Sequence, residues 1–416
     1  MSSVKYKCIL VIVDGLGDLP VESLRGQTPL EAAHTPALDG LAAAGRYGLV
    51  DPTGQGAQPN THSGAGLLLG LEPDELHTLK RGPVEAEGAG RVLQAGEVAL
   101  RANFAHVKPS FGGFVVLDRR AGRITEGARE LAAVLHHVDL GDGVAAEFHS
   151  THQHRGVLVL SGEGLDPEVS DTDPGDEELP APVLKCMALS QLPAARKTAE
   201  KINLYLRLAN GLLQNHPVNI ARSLAGKPPA NGIITRGAGS RGVLHNVIRK
   251  QGLSAAVISG CNTVCGLGRM FGYEVISNPS FTGGVDTDIA GKIQAALDAL
   301  QRNDMAFVHF KAPDVCAHDR KPAAKRDFLE RMDKALAPLM NKKIITALAA
   351  DHSTDSNTGI HTAHPVPALF YSPDHGAGLV GLNFSERSCL NGSMNRQNSS
   401  DFLQKVLAAM KGQLVT

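Results

Sequence analysis

The side chains able to do chemistry in this chain gather where apolar runs stop. Asp14 closes the run CILVIVDG, Asp351 and His352 close IITALAADH, and Lys311 closes MAFVHFK, with Asp314 and His318 just beyond it in DVCAHD. His361 stands nine residues after His352 in TGIHTAHPVPALF. Asp314 and His318 are four apart, so a helix there puts both on one face. Carboxylates and imidazoles of this kind are donors suited to Zn²⁺ or Mn²⁺. Any one of them alone is more simply a cap or a turn residue, and Asp314 with His318 a surface pair. Six such residues at or just after strand ends are difficult to explain as independent caps. A further position lies in QPNTHSGAGLLLG at 58–70, where Thr61, His62 and Ser63 sit between a Pro-Asn turn and a small, apolar, helix-like run. A hydroxyl just before a helix most often caps it.

The elements that must position these residues alternate between short apolar runs and helical stretches, the pattern of a mostly parallel sheet covered by helices. Strands are expected at 8–15, 255–260, 273–277, 305–311, 344–352 and 367–372, with helices at 287–301, 322–341 and 400–411. In such sheets ligands bind beyond the carboxyl ends of the strands, where the candidates lie. Residues 85–185 differ: VALRANFAHV, FGGFVVLDRR, GVAAEFHS and RGVLVLSG read as strands with few long helices between them, ending in the acidic, Pro-rich DPEVSDTDPGDEELPAP. The expectation is an inserted α+β domain at 85–185 and a core built from 1–84 and 186–416. The chain then crosses between domains twice, which makes a hinged lid a hypothesis.

A length of 416 residues fits about two domains. The 41 basic and 42 acidic residues leave a formal charge of −1. There is no global electrostatic footprint for nucleic acid or an anionic membrane, so an anionic substrate must be held locally. No apolar run approaches the roughly 20 residues of a membrane span, and MSSVKYKCILVIVDG reads as a charged lead into a strand; a cytoplasmic location is expected. The six cysteines are scattered, as for reduced thiols, and CNTVC at 261–265 lacks redox-pair spacing. Oligomeric state is not legible.

Taken together, VDGLGDLP, GQTPLEAAHTPALDGLAAAGRYG, RANFA, DRRAGRI, HRGVLVLSG, VSDTDP, ITRGAGS, DVCAHD and ADHST with HTAHPVP resemble the archaeal-type 2,3-bisphosphoglycerate-independent phosphoglycerate mutases of the alkaline phosphatase superfamily. The likeness runs in order from about residue 6 to 410. It implies an alkaline-phosphatase-like α/β core with an inserted lid domain. It also implies two divalent ions, Mn or Zn, one held by Asp14, Asp351, His352 and the nucleophile, the other by Asp314, His318 and His361. The family pattern PGSDTAHLSLLGYDP is here PNTHSGAGLLLGLEP. Aligned without gaps, Thr61 takes the nucleophile's place, His62 replaces an Asp and Ser63 a Thr. Metal coordination can activate a threonine hydroxyl, whereas Ser63 would need a two-residue shift of the turn. His364 also stands where an Asp is expected.

The activity implied is interconversion of 3-phosphoglycerate and 2-phosphoglycerate through a phosphothreonine. Arg155, Arg236, Arg241 and Lys311, with His62 and His154, are the candidates to bind substrate, since a guanidinium fork suits a carboxylate or phosphate. Arg119 and Arg120 either join them or pair with the acidic segment. Asp171 and Asp173 either position the substrate hydroxyls or act as general acid and base, or they form Asx turns before Pro174. The change at Asn60, Thr61 and His62 keeps open a metal-dependent phosphohydrolase, or a phosphomutase acting on another small phosphate or phosphonate. A non-catalytic relative that binds metal or a phosphate ligand is a third reading, opposed by the full set of proposed ligands.

Overall fold

The computed structural model describes residues 4–175, 177–374 and 381–413. The run Cys8–Val13 forms a wholly buried strand. It pairs in parallel with Met305–Phe310 on one side and Ile345–Ala349 on the other. Ala255–Ile258 and Glu274–Ile276 extend the sheet beyond the former. Continuous burial along such strands is what a parallel sheet with both faces covered requires. Beyond Ile345–Ala349 lie Val366–Tyr371, Arg46–Asp51 and Gln397–Asn398, completing eight strands.

Of these eight, Val366–Tyr371 alone runs against the rest. Between Ile345–Ala349 and Val366–Tyr371 the chain makes a small hairpin, Ser353–Asp355 with Ile360–Thr362, and no crossover helix. A parallel return needs such a crossover, so the strand comes back antiparallel. The expected helices form as Ile289–Ala299, Pro322–Leu336 and Ser399–Met410. Among the described residues no helix is long and apolar enough to cross a membrane.

The chain divides into two compact units, Met1–His77 with Leu244–Thr416, and Thr78–Val243. The second is larger than the 85–185 read from the sequence, and the reason is packing. Its long strand Val98–Ser110 pairs on one side with Arg155–Ser161 and on the other with Gly232–Gly239, far along the chain. The 22-residue helix Pro193–Gln214 buries Ile202, Tyr205, Ala209 and Leu213 in one apolar cluster with Leu100, Phe104 and Phe148. Upstream, Gly82 of the helix Arg81–Gly88 lies so close to Ala99 that an added Cβ would sit 2.0 Å from its carbonyl oxygen. The acidic segment does not close the unit either. Thr172 N donates to Thr235 O at 2.8 Å, tying it to the strand Gly232–Gly239.

Candidate active site

Three adjacent parallel strands of the first unit bring the sequence candidates together. Asp14 follows Cys8–Val13, Lys311 follows Met305–Phe310, and Asp351 with His352 follows Ile345–Ala349. Asp314 and His318 share the helix Ala312–His318, as their spacing predicts. His361 arrives on the hairpin, paired with Thr354. Donor atoms fall into two groups, each within 4.8 Å: Asp14, Asp351 and His352, and Asp314, His318 and His361.

Thr61 reaches the same place because its helix, Thr61–Leu68, presses on Asp351. A Cβ on Gly64 would meet the Asp351 carbonyl oxygen at 1.9 Å, so only glycine permits the approach. The cap of this helix is neither hydroxyl considered from sequence alone. Asn60 accepts from Ser63 N at 3.2 Å, and Ser63 Oγ accepts from Asn60 N at 3.0 Å, a reciprocal capping box. Ser63 is thereby engaged with its own turn. Thr61 Oγ1 instead accepts from Lys311 Nζ at 3.0 Å and lies 3.4 Å from His352 Nε2.

All three imidazoles are oriented from behind. His318 Nδ1 donates to Gly359 O at 2.7 Å and His361 Nδ1 to Pro59 O at 3.3 Å. Thr354 Oγ1 donates to Asp314 Oδ1 at 2.8 Å, so its contact with His352 Nδ1 at 3.0 Å is an acceptance. With each Nδ1 carrying its proton, each Nε2 lone pair turns inward, the usual arrangement of a metal-ligating histidine. His318 Nε2 and His361 Nε2 are 3.1 Å apart, and each is 3.3 Å from Asp314 Oδ1. His352 Nε2 is 3.1 Å from Asp14 Oδ1 and 3.4 Å from Asp351 Oδ2.

Lone pairs facing carboxylate oxygens call for cations between them. The charge balance says the same. Asp14, Asp314 and Asp351 are almost wholly buried, and Lys311 is the ammonium among them, 2.9 Å from Asp14 and 2.7 Å from Asp314. Burial opposes ionisation of Asp14 and Asp314, but the Lys311 charge, joined at Asp14 by the His309 contact, outweighs it and holds both carboxyls below the usual range. Asp351 is left over: burial first, then the Asp14 charge, pushes it well above the usual range. Burial works against the Lys311 charge, yet Asp14 and Asp314 prevail and keep it protonated. One ammonium for three buried carboxylates is an uncompensated set, and it fits divalent cations.

The remaining candidates lie in the second unit. Strand pairing sets Arg101 beside Arg236 and Asn103 beside Arg155, all on one face of the sheet. Arg101 was missed from sequence as a site residue. Its signal was a charge within the largely apolar run VALRANFA. It is 6% exposed, and its nearest acid, Glu85 at 3.6 Å, also pairs with Arg81. Among the described residues Arg101 Nε, Arg236 Nε, Asn103 Oδ1 and His154 Nδ1 are buried without a hydrogen-bond partner. Burial, then Arg81 and other guanidiniums, pulls the pKa of Arg101 and Arg236 down. Burial, then Arg155, lowers His154 to about 3.

Asp173 is occupied by Arg119, which grips both its oxygens at 2.8 and 2.9 Å, and it also accepts from Gly175 N two residues on. Asp171 is exposed and accepts from Gly237 N at 2.8 Å. Arg241 is exposed and donates to Leu93 O at 3.3 Å. His62 is half-buried on the first turn of the Thr61–Leu68 helix, and Arg155 is exposed.

A nearly parallel sheet thus carries carboxylate, imidazole and hydroxyl groups at its central carboxyl ends, and a second unit is inserted in its chain. Residues 42–219 match the family described as 2,3-bisphosphoglycerate-independent phosphoglycerate mutase. Proteins of that name from Methanoculleus marisnigri and Methanopyrus kandleri are 40% and 39% identical, over 96% and 95% of this chain and 96% and 94% of their own. The chain belongs to this family. A solved structure of a cofactor-independent phosphoglycerate mutase from Thermoplasma acidophilum has a TM-score of 0.67 at 30% identity, covering 97% of this chain and 99% of that one. A solved protein of Pyrococcus horikoshii gives 0.80 at 27% identity, with 99% of each chain covered.

Proposed function

We propose that this chain interconverts 3-phosphoglycerate and 2-phosphoglycerate through a phosphothreonine at Thr61. One observation carries the choice of nucleophile: the Thr61 hydroxyl is held between Lys311 and His352 where the two donor groups meet, while Ser63 is spent on the helix cap. Asp14, Asp351 and His352, together with Thr61, would hold one divalent ion, Mn or Zn, and Asp314, His318 and His361 a second. Bound there, such ions supply Lewis-acid stabilisation of phosphoryl charge and ease deprotonation of the Thr61 hydroxyl.

Thr61 Oγ attacks phosphorus in line; the bond from phosphorus to the C3 oxygen breaks, and that oxygen leaves as the hydroxyl of glycerate after taking a proton. In the return step the C2 hydroxyl attacks the phosphothreonine, loses its proton, and Thr61 Oγ departs. Lys311, already bonded to Thr61 Oγ1 and kept charged by two aspartates, stabilises that oxygen in both steps. The N-terminus of the Thr61–Leu68 helix favours the same negative charge.

Within the second unit, Arg101 and Arg236 have buried guanidinium nitrogens with unused hydrogen-bond capacity, which with Arg155 on the same face suits an anionic group such as a carboxylate. His154, next to Arg155 in the chain, is kept neutral by burial and by the neighbouring guanidinium charges, so it adds no further charge there. Asp171 and Asp173 are read as supports that fix Gly237 and Arg119. The test is a ³¹P NMR time course with 3-phosphoglycerate and added Mn²⁺ or Zn²⁺, Mn²⁺ being chelated before acquisition. A growing 2-phosphoglycerate signal without inorganic phosphate is expected. Phosphate alone would identify a hydrolase, and no conversion would redirect the site to another phosphorylated or phosphonate substrate.

A further inference from the structure

One buried histidine touches the metal-donor cluster from outside it. His309 lies on Met305–Phe310, fully buried, with Nε2 3.0 Å from Asp14 Oδ2 and Nδ1 3.2 Å from Ser259 Oγ. The directions follow from Asp14, whose ionised carboxylate can only accept: the His309 proton sits on Nε2, pointed at Asp14 Oδ2, and Nδ1 of the neutral ring is an acceptor. Ser259 Oγ, which accepts from Cys261 N at 2.9 Å, donates its proton to that Nδ1. Behind the ring, Lys292 Nζ donates to the His309 carbonyl at 3.1 Å and to the Thr282 carbonyl at 3.2 Å, pinning the backbone at this position. The two oxygens of Asp14 are therefore divided. Oδ2 is committed to His309, and Oδ1 faces His352 Nε2 at 3.1 Å and Lys311 Nζ at 2.9 Å.

We infer that His309, held by Ser259, is a positioning residue that makes Asp14 a one-oxygen ligand aimed at the first metal position. The inference rests on the reading of Asp14, Asp351 and His352 as a metal set. A carboxylate free to rotate can offer either oxygen or both. One with Oδ2 tied back presents a single donor in a fixed direction, and outer-shell bonds of this kind tune metal affinity. His309 touches neither substrate nor metal and acts through Asp14.

The test uses the full-length chain stripped of metal, titrated with Mn²⁺ while free Mn²⁺ is read by electron paramagnetic resonance. Asp14→Asn identifies which binding phase belongs to the Asp14 set. His309→Leu is expected to weaken that phase about 10- to 100-fold and leave the other phase in place. His309→Gln, whose amide donates from near the Nε2 position, should recover most of the loss. A merely structural histidine would shift the melting temperature without this selective loss and rescue. Should His309→Leu not fold, Ser259→Ala removes the hydroxyl that supports this tautomer from a small site and should weaken the same phase by about threefold. Unchanged affinity in that phase for every His309 and Ser259 variant that folds overturns the inference. Wild-type protein with no Mn²⁺ phase sensitive to Asp14→Asn overturns the metal reading beneath it, and the inference with it.

Discussion

The donor cluster of the first unit and the arginine face of the second are charge imbalances of opposite sign. Around Lys311, three buried carboxylates face one ammonium. Around Arg101, the charges of Arg81, Arg155 and Arg236 are met by Glu85. Neither would be retained for stability, because a buried charge without a full set of partners is costly. Each is instead what a ligand of the opposite sign completes. The formal charge of −1 hides both, since the excesses cancel in the sum. On the proposed function, local imbalance rather than net charge marks the sites where this chain would meet its ligands.

The largest expected effect breaks the first cluster without touching the second. Thr61→Ala should lower turnover by about 10⁴-fold or more, as loss of a nucleophile does, with substrate affinity at the arginine face preserved in equilibrium binding. Thr61→Ser should keep activity, because the hydroxyl stays within reach of Lys311. Retention of substantial turnover by Thr61→Ala would move the nucleophile elsewhere. Chelation should also abolish turnover, and restoring metal at about 100 times its Kd should stabilise the first unit by about 2.7 kcal/mol in thermal unfolding.

Next in size is the converse experiment. Arg101→Met removes a buried guanidinium whose Nε has no partner among the described residues, so the melting temperature should hold or rise. The same change should raise KM about 10- to 100-fold, the worth of a charge-assisted hydrogen bond or two, with a smaller effect on kcat. A large fall in stability with KM unmoved would show that Arg101 serves the Glu85 ion pair instead.

The two clusters were unequally legible. Asp14, Asp351 and His352 stand at the ends of apolar runs and Asp314 follows shortly after another, with His318 one helical turn on, so the carboxyl-end rule for parallel sheets gathers most of the donors without coordinates. Thr61 is different: its place depends on Gly64 letting a helix press on the Asp351 backbone, a contact no local pattern encodes. The arginine face depends on register. Arg101 and Arg236 are 135 positions apart, and only antiparallel pairing of Val98–Ser110 with Gly232–Gly239 sets them side by side. That same long-range pairing carries residues 186–243 into the second unit, which composition alone assigned to the first. His309 escaped notice because, inside a buried strand, its ring reads as core.

A smaller effect comes from pH. The His154 imidazole titrates at about 3 in the fold and near 6.5 when unfolded. Between those values the unfolded chain binds the extra proton, so the neutral imidazole's contribution is complete above about 6.5 and lost as pH falls. From pH 7 to 5 the second unit should lose up to about 2 kcal/mol through this group. His154→Gln should lose less over the same interval, seen as a shallower decline of its melting temperature. Equal declines would place the pH sensitivity elsewhere.

The smallest change separates two neighbouring hydroxyls. Ser63 Oγ accepts from Asn60 N and donates to Asn60 O at 3.0 Å each, so Ser63→Ala removes half of the capping box while Asn60 still caps the helix. A loss of about 1 kcal/mol in unfolding free energy is expected, with kcat within about threefold of wild type. The helix N-terminus would loosen slightly under Thr61, but the contact to Lys311 is anchored from the other side by Asp14 and Asp314. If Ser63→Ala were as inactive as Thr61→Ala, the hydroxyl in the cap would be the one that carries the phosphoryl group, and the turn would have to rearrange by two residues to deliver it.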